Sequence, residues 1–541
     1  MTGILKADGS AVSAGEIAAV RMQGKMSALA PSGHTTNYRG AGSSTQELAV
    51  FQAPTLSADA ANRFERETLA NRARKLVRDE PEARTAVEKS TGMVIGSGWR
   101  LQAQPDHRAL GITEEEGREL ATSIERAFQR WATDPRRLCD LTRRHDFGGL
   151  LRIAFSEWKT VGECLAVMNL REAVPGAFQT AVNLIDTDRL SNPNGAWDSD
   201  TMRDGVELDA HGAPIAYHIR RAHPGDISVN ALDSLLWDRV PRESDYGRPV
   251  CIHGFTQSRP GQHRGITPLA PVIETFLMMG QYKGAEIQSA LINALFGAFV
   301  KSGFDPSAVA DILGVKQDSG VNLQGYQDVR QNFYDEAPVE FMGVRIPVLM
   351  PGDSVDLNTA PRQATAFNVF YRTLMQSVAA AMNVSEGQIT GNYTGLNYST
   401  LRGAFNEIWS AVMVQRADFG TQVVMPIYLA VLDEITDRGL IDLPPGCADL
   451  WEAPAAWCRS NWVGPARPQI DPEKAAKANL LNLEGRLTSR SKIYSSNGED
   501  FDEEMAVIAG EEQRMEQLSI SSNFREGALA PTNPTDGTTA Q

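Results

Sequence analysis

Apolar residues recur at three- and four-residue spacing along several stretches of the chain, which is the pattern of amphipathic helices. In the middle of the chain, Thr267-Pro268 forms an N-cap and first-turn pair, and the spacing after it predicts one helix to about residue 300. A second helix is predicted from Gln363 to Asn383. A third begins at Ser399, is kinked at Pro426 and resumes to about Asp437. The same spacing predicts further helices from Ser57, at Glu114 to Trp131, at Gly148 to Trp158, and after Asp471 on either side of a polar turn.

Short runs of β-type residues predict strands in the part between about 90 and 265. They are Ala166 to Leu170, Thr180 to Ile185, Ile215 to Arg220 and Val250 to Phe255, divided by turns such as NPNG (192–195) and HPGD (223–226). Residues 301 to 362 contain turn-forming residues, and their apolar residues do not follow a helical spacing. The two ends, 1–56 and 521–541, are rich in small and polar residues, so disorder, or for 1–56 ordering by a partner, is predicted. The fold class is therefore α+β and mostly helical.

A segment of turn-forming and aromatic residues, GNYTGLNYST (391–400), separates the second predicted helix from the third. Glycine and asparagine are the residues that a backbone uses when it must bend or stay mobile. The segment predicts a mobile loop that carries Tyr393 and Tyr398 directly in front of a long helix, and loops placed in this way commonly carry function. The alternative is that both tyrosines simply pack on a domain surface.

Charge and composition narrow the functional classes. The 541 residues, enough for two to four domains, carry a formal net charge of −15, and an acidic surface repels phosphate, which argues against tight wrapping of nucleic acid. DNA as a passing cargo is not excluded. Five scattered cysteines without a C-x-x-C pair predict free thiols in a reducing compartment. The longest apolar run, ALINALFGAFV (290–300), is well short of the ~20 residues that span a bilayer, so a soluble cytosolic chain with no membrane contact is expected.

Motifs for catalysis and cofactors are mostly missing. No phosphate-binding G-x-x-x-x-G-K-[ST] loop occurs. Ser156 and Lys159 have the S-x-x-K spacing of serine acyl-enzymes, but the companion motifs are absent. His218 and His223 lack a third metal ligand at suitable spacing, and a strand edge and a turn explain them equally well. The prediction is therefore a protein that is not an enzyme, with no cofactor and no metal.

Several segments, in this order, resemble the portal proteins of tailed bacteriophages, specifically the lambda-type portal family. They include ARKLVRDEPEARTAVEKSTGMVIGSG (73–98), Gly162-Glu163, LIDTDRL (184–190), GVELDAHGAPIAYHIRRAHPGD (205–226), IHGFTQSRPGQHRGITPLA (252–270), PGDSVDL (351–357), VAAAMNVSEGQITGNYTGLNYSTLRGAF (378–405) and DPEKAAKAN (471–479). The family usually has asparagine where this chain has Asp79. Each segment is a modest signal, and their order across some 400 residues makes the set specific.

This resemblance implies the portal fold of wing, stem, clip and crown, with long stem helices and a kinked bridging helix. The parts that it implies are a wing at 57–264, a first stem helix at 265–300, a clip at 301–362, a second stem helix at 363–386, a tunnel loop at 387–399, a kinked wing/crown helix at 400–440 and C-terminal wing/crown helices at 441–520. Twelve subunits would form a ring at one capsid vertex, around a channel for double-stranded DNA.

The resemblance also implies site residues and partners. Tunnel-loop residues that would line the channel are Asn392, Tyr393, Thr394, Asn397 and Tyr398. Candidates for channel-facing positive charge are Lys283, Lys301, Arg362, Arg372 and Arg402, with a solvated face or an ion pair between subunits as the alternative for each. The implied partners are other copies of the chain, the terminase that supplies ATP hydrolysis, the major capsid or scaffold protein, and head-completion or tail connector proteins. The implied location is the virion, with the host cytoplasm during assembly.

Three functional classes stay open on the sequence. The first is the portal, a structural conduit for DNA packaging and ejection and a docking platform. The second is a capsid-associated hydrolase that uses Ser156 and Lys159. The third is an ordinary DNA-binding protein, whose affinity would fall steeply with salt, where a conduit is expected to bind DNA weakly at any salt.

Overall fold

A computed structural model describes residues 50–51, 54–172, 174–226, 232–299, 332, 339–341, 344–346, 364–395, 397–468 and 471–518. The chain divides into a short N-terminal unit, Met1–Ser57, and a main unit, Ala58–Gln541. Val50 and Phe51 in the first unit are exposed. Most of the predicted N-terminal arm (1–56) and clip (301–362), and all of the predicted tail (521–541), lie outside the described residues.

Helices account for most of the regular structure in the described part of the main unit. In chain order they are α1 Ala58–Asp79, α2 Pro81–Val94, α3 Glu114–Ala132, α4 Phe147–Val161, α5 Ile273–Phe299, α6 Ala364–Met382, α7 Glu386–Thr390, α8 Tyr398–Phe419, α9 Met425–Asp437, α10 Pro454–Trp457, α11 Pro472–Glu484, α12 Arg490–Ser496 and α13 Phe501–Gln517.

The described strands form small antiparallel sheets. Their bounds are β1 Arg100–Ala103, β2 Glu163–Leu170, β3 Thr180–Ile185, β4 Met202–Arg203, β5 Val206–Leu208, β6 Pro214–Arg220, β7 Trp237–Pro241, β8 Cys251–Phe255, β9 Val339–Phe341, β10 Val344–Ile346 and β11 Ser460–Val463. The orders are β3-β2-β8, β4-β5-β6-β7, β1-β11 and β9-β10. Together the elements give an α+β fold that is mostly helical, as predicted.

The sequence pattern located most elements closely. The helix predicted at Glu114 to Trp131 is confirmed, because Thr113 and Glu116 form a capping box that starts α3 where the apolar period begins. All four predicted strands are confirmed to within three residues at either end. The polar turn expected after α11 holds the short helix α12 instead. The prediction missed the pairing of β1 with β11, which joins residues some 360 positions apart in the chain.

The start of the first long helix was predicted wrongly. Thr267 does not cap α5, which begins six residues later at Ile273. Its hydroxyl accepts the N–H of Leu269 at 3.1 Å and donates to the carbonyl of Thr160 at 2.6 Å, so it fixes a turn that precedes α5. The residue types that cap a helix are also those that cap a turn, which is why the sequence alone could not separate the two.

The irregularity predicted at Pro426 lies just before that residue. A π-helical segment, Gly420–Val424, joins α8 to α9, and Pro426 occupies the first turn of α9, where its missing N–H is not needed. Insertions of this kind disturb the regular hydrogen-bond ladder and commonly occur at functional or strained positions.

Two buried clusters hold the helices together. The larger contains α3, α4, α8 and α9 around a group of aromatic rings: Phe128, Trp131, Phe147, Tyr428 and Trp462. The second packs α1 and α2 against the ends of α5 and α6 that lie nearest to them, with Val87, Phe276, Met375 and Met382 at its centre. The second cluster therefore fixes where the two long helices leave the body of the protein.

A buried carboxylate at the start of β2 links α1, β8 and the segment that leads into α5. Glu163, at the start of β2, accepts hydrogen bonds from Arg264 at 2.6 Å, from Arg66 of α1 at 3.3 Å and from the N–H of Gly265 at 2.9 Å, and His253 of β8 lies 3.0 Å from it. Complete burial by itself would raise the pKa of Glu163, but the arginines and His253 outweigh it and hold that pKa well below its usual value. Glu163 therefore stays ionised at neutral pH.

Glycines allow the chain to come this close. Gly162 has φ +99°, and a Cβ there would lie 2.2 Å from the carbonyl of Ile266. A Cβ on Gly265 would lie 2.3 Å from the carbonyl oxygen of Gly162. The segment that leads into α5 therefore crosses the start of β2 in direct backbone contact, where no side chain fits.

We expect Glu163→Gln to lower the free energy of unfolding by about 3–5 kcal/mol, because it leaves buried arginines without their counter-charge. Urea or thermal unfolding measures the change. The control is Glu88→Gln, which removes an exposed i,i+4 partner of Arg84 and should cost about 0–0.5 kcal/mol. Equal shifts for the two variants would contradict the structural role given to Glu163.

Candidate functional site

The irregular segment between α7 and α8, residues 391–397, is the candidate functional loop. It begins at Gly391, whose φ of +69° ends α7, and Gly395 has φ +82°. Both values lie in the left-handed region that glycine adopts without strain. Between them, the side chain of Asn392 accepts hydrogen bonds from the N–H of Thr394 at 3.0 Å and from its hydroxyl at 2.6 Å, which makes a compact turn.

This loop is shorter than the 387–399 expected from the sequence. Ser385 and Gln388 form a capping box that folds Glu386–Thr390 into the helix α7. At the other end, Asn397 caps α8, because its side chain accepts from the N–H and the hydroxyl of Thr400, both at 2.8 Å. Asn397 is therefore a helix cap at the edge of the loop. Tyr398 is the first residue of α8, and its side chain lies outside the described residues.

Tyr393 is the aromatic side chain that the structure describes in this loop. It is 41% exposed, so it is neither sealed inside the fold nor free of contacts. Its ring lies over Gly387, where an added Cβ would come within 2.7 Å of it. Because residue 387 is a glycine, one side of the Tyr393 ring packs against α7 while the other side faces solvent.

The base of the loop is held by a carboxylate that joins three helices. Glu82 in the first turn of α2 accepts from Lys283 of α5 and from the hydroxyl of Tyr371 of α6, each at 2.6 Å. Partial burial alone would raise the pKa of Glu82, but the hydrogen bonds from Lys283 and Tyr371 outweigh it and lower that pKa. Burial and the neighbouring carboxylate raise the pKa of Tyr371. No local sequence pattern indicates Glu82, because its partners lie some 200 and 290 positions away in the chain.

A second ion pair links α6 to the helix that carries the loop. Arg372 donates to Glu386 at 2.7 Å, and Gln376 donates to the same carboxylate at 3.3 Å. Both pairs border a cleft of about 620 Å³ that reaches Asn392 and Thr394 of the loop. Polar contacts therefore join α2, α5, α6 and α7, and these four helices support the loop.

The helix that follows the loop is fixed at its far end. Arg416 of α8 donates to the carbonyl oxygens of Met93 at 2.7 Å, Val94 at 3.1 Å and Pro465 at 2.8 Å, and its guanidinium lies 4.8 Å from the ring centroid of Trp409. Burial lowers the pKa of Arg416 to about 10. These contacts place α8 against the end of α2, so the loop has a fixed support on both sides.

The predicted basic residues have different surroundings. Lys283 and Arg372 are both paired with carboxylates of the same chain, as described above. Arg402 is exposed on α8 and has no ion-pair or hydrogen-bond partner among the described residues. Lys301 and Arg362 lie outside the described residues. A channel-facing role stays a prediction for all five.

Ser156 and Lys159 both lie on α4, but no hydrogen bond joins them in the described part of the chain. Lys159 is buried, and this burial lowers its pKa to about 8. The S-x-x-K spacing alone thus does not produce the serine–lysine contact that an acyl-enzyme mechanism needs.

The histidines considered as metal ligands also have structural partners. His218 lies 3.1 Å from Glu207. His223 lies within 3.7 Å of both Asp186 and Asp188, a grouping that could hold a cation. However, the guanidinium of Arg74 already donates to Asp188 and, at 2.9 Å, to Asp186. Asp186 and Asp188 thus share the guanidinium of Arg74, which also pairs with Glu157.

Comparison with known proteins decides the family. The sequence model of phage portal proteins, lambda family, matches residues 44–416. This chain belongs to the lambda family of phage portal proteins. The match spans α1 to α7, the loop 391–397 and most of α8.

Curated relatives agree with this assignment. The chain is 31% identical over 487 residues to portal protein B of Escherichia phage lambda, covering 88% of this chain and 90% of that protein. It is 30% identical over 468 residues to the portal protein of Escherichia phage N15, covering 86% and 87%. A probable portal protein of Halomonas phage phiHAP-1 is 24% identical over 476 residues, covering 86% of this chain and 83% of that one.

Solved structures give a weaker likeness. A chain from the virion of a native gene transfer agent particle covers 80% of this chain at 13% identity, with a TM-score of 0.36. A chain from the neck of that particle, computed with C12 symmetry, covers 79% with the same score. A score this low does not establish a shared arrangement of the whole chain. Within the described residues, no helix combines the length and apolar character that crossing a membrane requires.

We expect Glu82→Ala to loosen α5 and α6 against α2, because it leaves Lys283 and Tyr371 without their shared acceptor, at a cost of about 1–3 kcal/mol. Hydrogen–deuterium exchange should show faster exchange at the body ends of α5 and α6, by roughly tenfold for each 1.4 kcal/mol. Glu274→Ala removes an exposed carboxylate of α5 and serves as the control. Unchanged exchange in the Glu82 variant would show that the three-helix contact does not hold the base of the loop.

Proposed function

We propose that this chain forms the portal ring at one capsid vertex, the conduit through which double-stranded DNA is packaged and ejected. The observation that carries the proposal is membership of the portal family over residues 44–416, a range that includes the candidate loop and the helices that support it. The location that follows is the virion, with assembly in the host cytoplasm. Catalysis is not part of the proposal, since Ser156 and Lys159 make no contact that would activate the serine.

Ring formation is supported by apolar side chains that the single chain leaves in water. Large apolar residues are exposed on α5 and α6: Leu277, Met278, Ile287, Leu291, Val369 and Phe370. Burying such a side chain contributes about 1.5–3 kcal/mol. A neighbouring copy can cover this face, and a contact between two different faces of one chain repeats around a closed ring. The family resemblance sets the expected number at twelve.

The loop 391–397 is proposed as the tunnel loop. Its exposed groups are the amide of Asn392, the hydroxyl of Thr394 and the outer face of the Tyr393 ring, which suit weak and transient contacts with a passing duplex. Of the three predicted channel-facing basic residues that the structure describes, Lys283 and Arg372 pair with carboxylates at the base of the loop, and Arg402, one turn into α8, is left to face DNA. Twelve copies at −15 each carry −180, and this negative charge disfavours tight gripping of DNA.

The remaining elements are assigned to portal parts on the same basis. We assign α1 to α4 and the sheets β3-β2-β8 and β4-β5-β6-β7 to the wing, and β9 and β10 to the clip. We assign α5 and α6 to the stem, α8 and α9 to the helix that bridges wing and crown, and α11 to α13 to the C-terminal wing/crown part. The terminase, head-completion or tail connector proteins, and the major capsid or scaffold protein are the proposed partners. ATP hydrolysis would come from the terminase, because this sequence has no phosphate-binding loop.

Shortening the tunnel loop tests the conduit. We expect deletion of residues 392–396, which retains the Asn397 cap of α8, to leave ring assembly intact and to yield heads that are empty or lose their DNA. Electron microscopy scores the rings, and nuclease-protected DNA in purified heads scores packaging.

Two further variants isolate the role of the side chains in this test. Tyr393→Ser should weaken DNA retention, whereas Tyr246→Ser, which changes an exposed tyrosine of another turn, should not. Rings that fail to form after the deletion would make the loop a packing element. Normal packaging by the deletion variant would contradict the proposal that the loop acts in the conduit.

A further inference from the structure

The connection between α3 and α4, residues 133–146, concentrates arginine in an otherwise acidic chain. We call this segment the arginine loop. It carries Arg136, Arg137, Arg143 and Arg144, all exposed. Arg130 lies just before it on α3, and Arg171 donates to the carbonyls of Asp140 and Leu141. Six arginines against Asp134, Asp140 and Asp146 leave a local charge of +3, in a chain whose net charge is −15.

All three aspartates of this region are already engaged. Asp134 accepts from the guanidinium of Arg136 at 2.8 and 3.0 Å, and Asp146 caps α4 by accepting from Gly149 at 2.7 Å. Asp140 is buried and faces the backbone of its own loop. The positive charge of the other arginines is therefore not paired with a carboxylate of the loop.

The arginine loop is rigidly built. Asp140 accepts from the backbone N–H groups of Thr142 at 2.8 Å, Arg144 at 2.8 Å and His145 at 3.0 Å. Leu141 donates to the carbonyl of Val182 in β3 at 2.9 Å, and Val182 donates back to Cys139 at 2.8 Å. Because the backbone is fixed in advance, less ordering is needed when a ligand binds.

Two of the arginines occupy backbone conformations that favour glycine or asparagine. Arg137 has φ +55° and Arg143 has φ +57°. The left-handed backbone region costs a residue with a Cβ about 1–2 kcal/mol. Arg137 has a structural reason for its position, since it donates to the carbonyl of Arg144 at 2.9 Å. Arg143 has no side-chain partner in the part of the chain that the structure describes, and neither has its neighbour Arg144.

Arg143 and Arg144 therefore present two adjacent exposed guanidinium groups, without a partner among the described residues, on a backbone fixed by hydrogen bonds. We infer that Arg143 and Arg144 bind the phosphate backbone of duplex DNA, at a surface separate from the tunnel loop. The identification of the phosphate polymer as DNA rests on the proposed function. An acidic protein is the less favoured partner, because the exposed part of the loop has no large apolar side chain of the kind that anchors protein–protein interfaces. Arginine forks match phosphate oxygens in geometry and charge.

This surface changes one expectation from the sequence. A conduit alone was expected to bind DNA weakly at any salt, whereas the arginine loop adds a contact that should be measurable at low salt and lost as salt rises. Binding of this kind is non-specific, with Kd of about 10⁻⁴–10⁻⁶ M at physiological salt. It therefore stays far weaker than binding by a sequence-specific DNA-binding protein.

Binding of a small, covalently closed circular duplex to the full-length protein tests the inference, because a closed circle cannot thread a closed ring. The test variant is Arg143→Asn with Arg144→Gln. Asparagine tolerates the left-handed backbone at 143, and the N–H of residue 144 still reaches Asp140. The matched control is Arg84→Gln with Arg118→Gln, which removes the same charge from two exposed arginines on α2 and α3.

We expect the wild-type protein and the control to bind the circle at 50 mM salt, with affinity that falls as salt rises. In the test variant, the slope of log affinity against log salt should be smaller by about two for each subunit that contacts the circle, one for each lost phosphate contact. Between 50 and 200 mM salt the wild-type protein should therefore lose about 16-fold more affinity than the test variant for each contacting subunit. Filter binding across this range measures both quantities.

Three results would overturn the inference. They are no binding of the circle by wild type at 50 mM salt, equal slopes for wild type and test variant, and tighter binding of a polyglutamate peptide of matched charge, which would indicate an acidic protein partner. Microscopy of the same samples separates this inference from the proposed function. If rings form but do not bind the circle, only the inference about the arginine loop is contradicted. If the protein binds the circle but forms no rings, only the proposed conduit function is contradicted.

Discussion

The contact between Glu163 and Arg264 is the constraint on which the rest of this structure depends. It is buried, it is supported by Arg66 and His253, and it brings the segment that enters α5 into backbone contact with the start of β2. Removing one member of such a cluster leaves an uncompensated charge in a low-dielectric environment. The short motifs around residues 162–163 and 252–270, which carry part of the family resemblance, are the two sides of this contact.

From this point, polar contacts lead outward to the candidate loop. The crossing at Gly162 and Gly265 sets where α5 begins, and the apolar cluster of α1, α2, α5 and α6 sets its direction. Glu82 then joins α2 to both long helices, and Arg372 joins α6 to α7, which carries the loop. Arg416 fixes the helix on the other side. The loop 391–397 is thus a short segment held between fixed supports, as the proposed tunnel loop requires.

The sequence was informative wherever a local rule applied. The apolar period located α3, and short runs of β-type residues located the four predicted strands. The helix α7 was read as loop because it contains Gly387 and ends at Gly391, although the Ser385–Gln388 capping box marks its start. Gly387 is needed there because the Tyr393 ring packs against it. Local rules also could not find Glu82 or the partners of Glu163, because those contacts join residues about 90 to 290 positions apart, and no local spacing encodes them. The strain at Arg143 is likewise a backbone property that no residue pattern displays.

The central claim is that acidic copies of this chain close into a ring around a DNA channel, and the most direct measurement is imaging and mass determination of the purified full-length protein. Negative-stain electron microscopy should show annular particles with a central hole, and native mass spectrometry should give a mass that is a high multiple of the 59.0 kDa subunit. A sample that contains only 59.0 kDa monomers at high protein concentration, with no annular particles, would contradict the account.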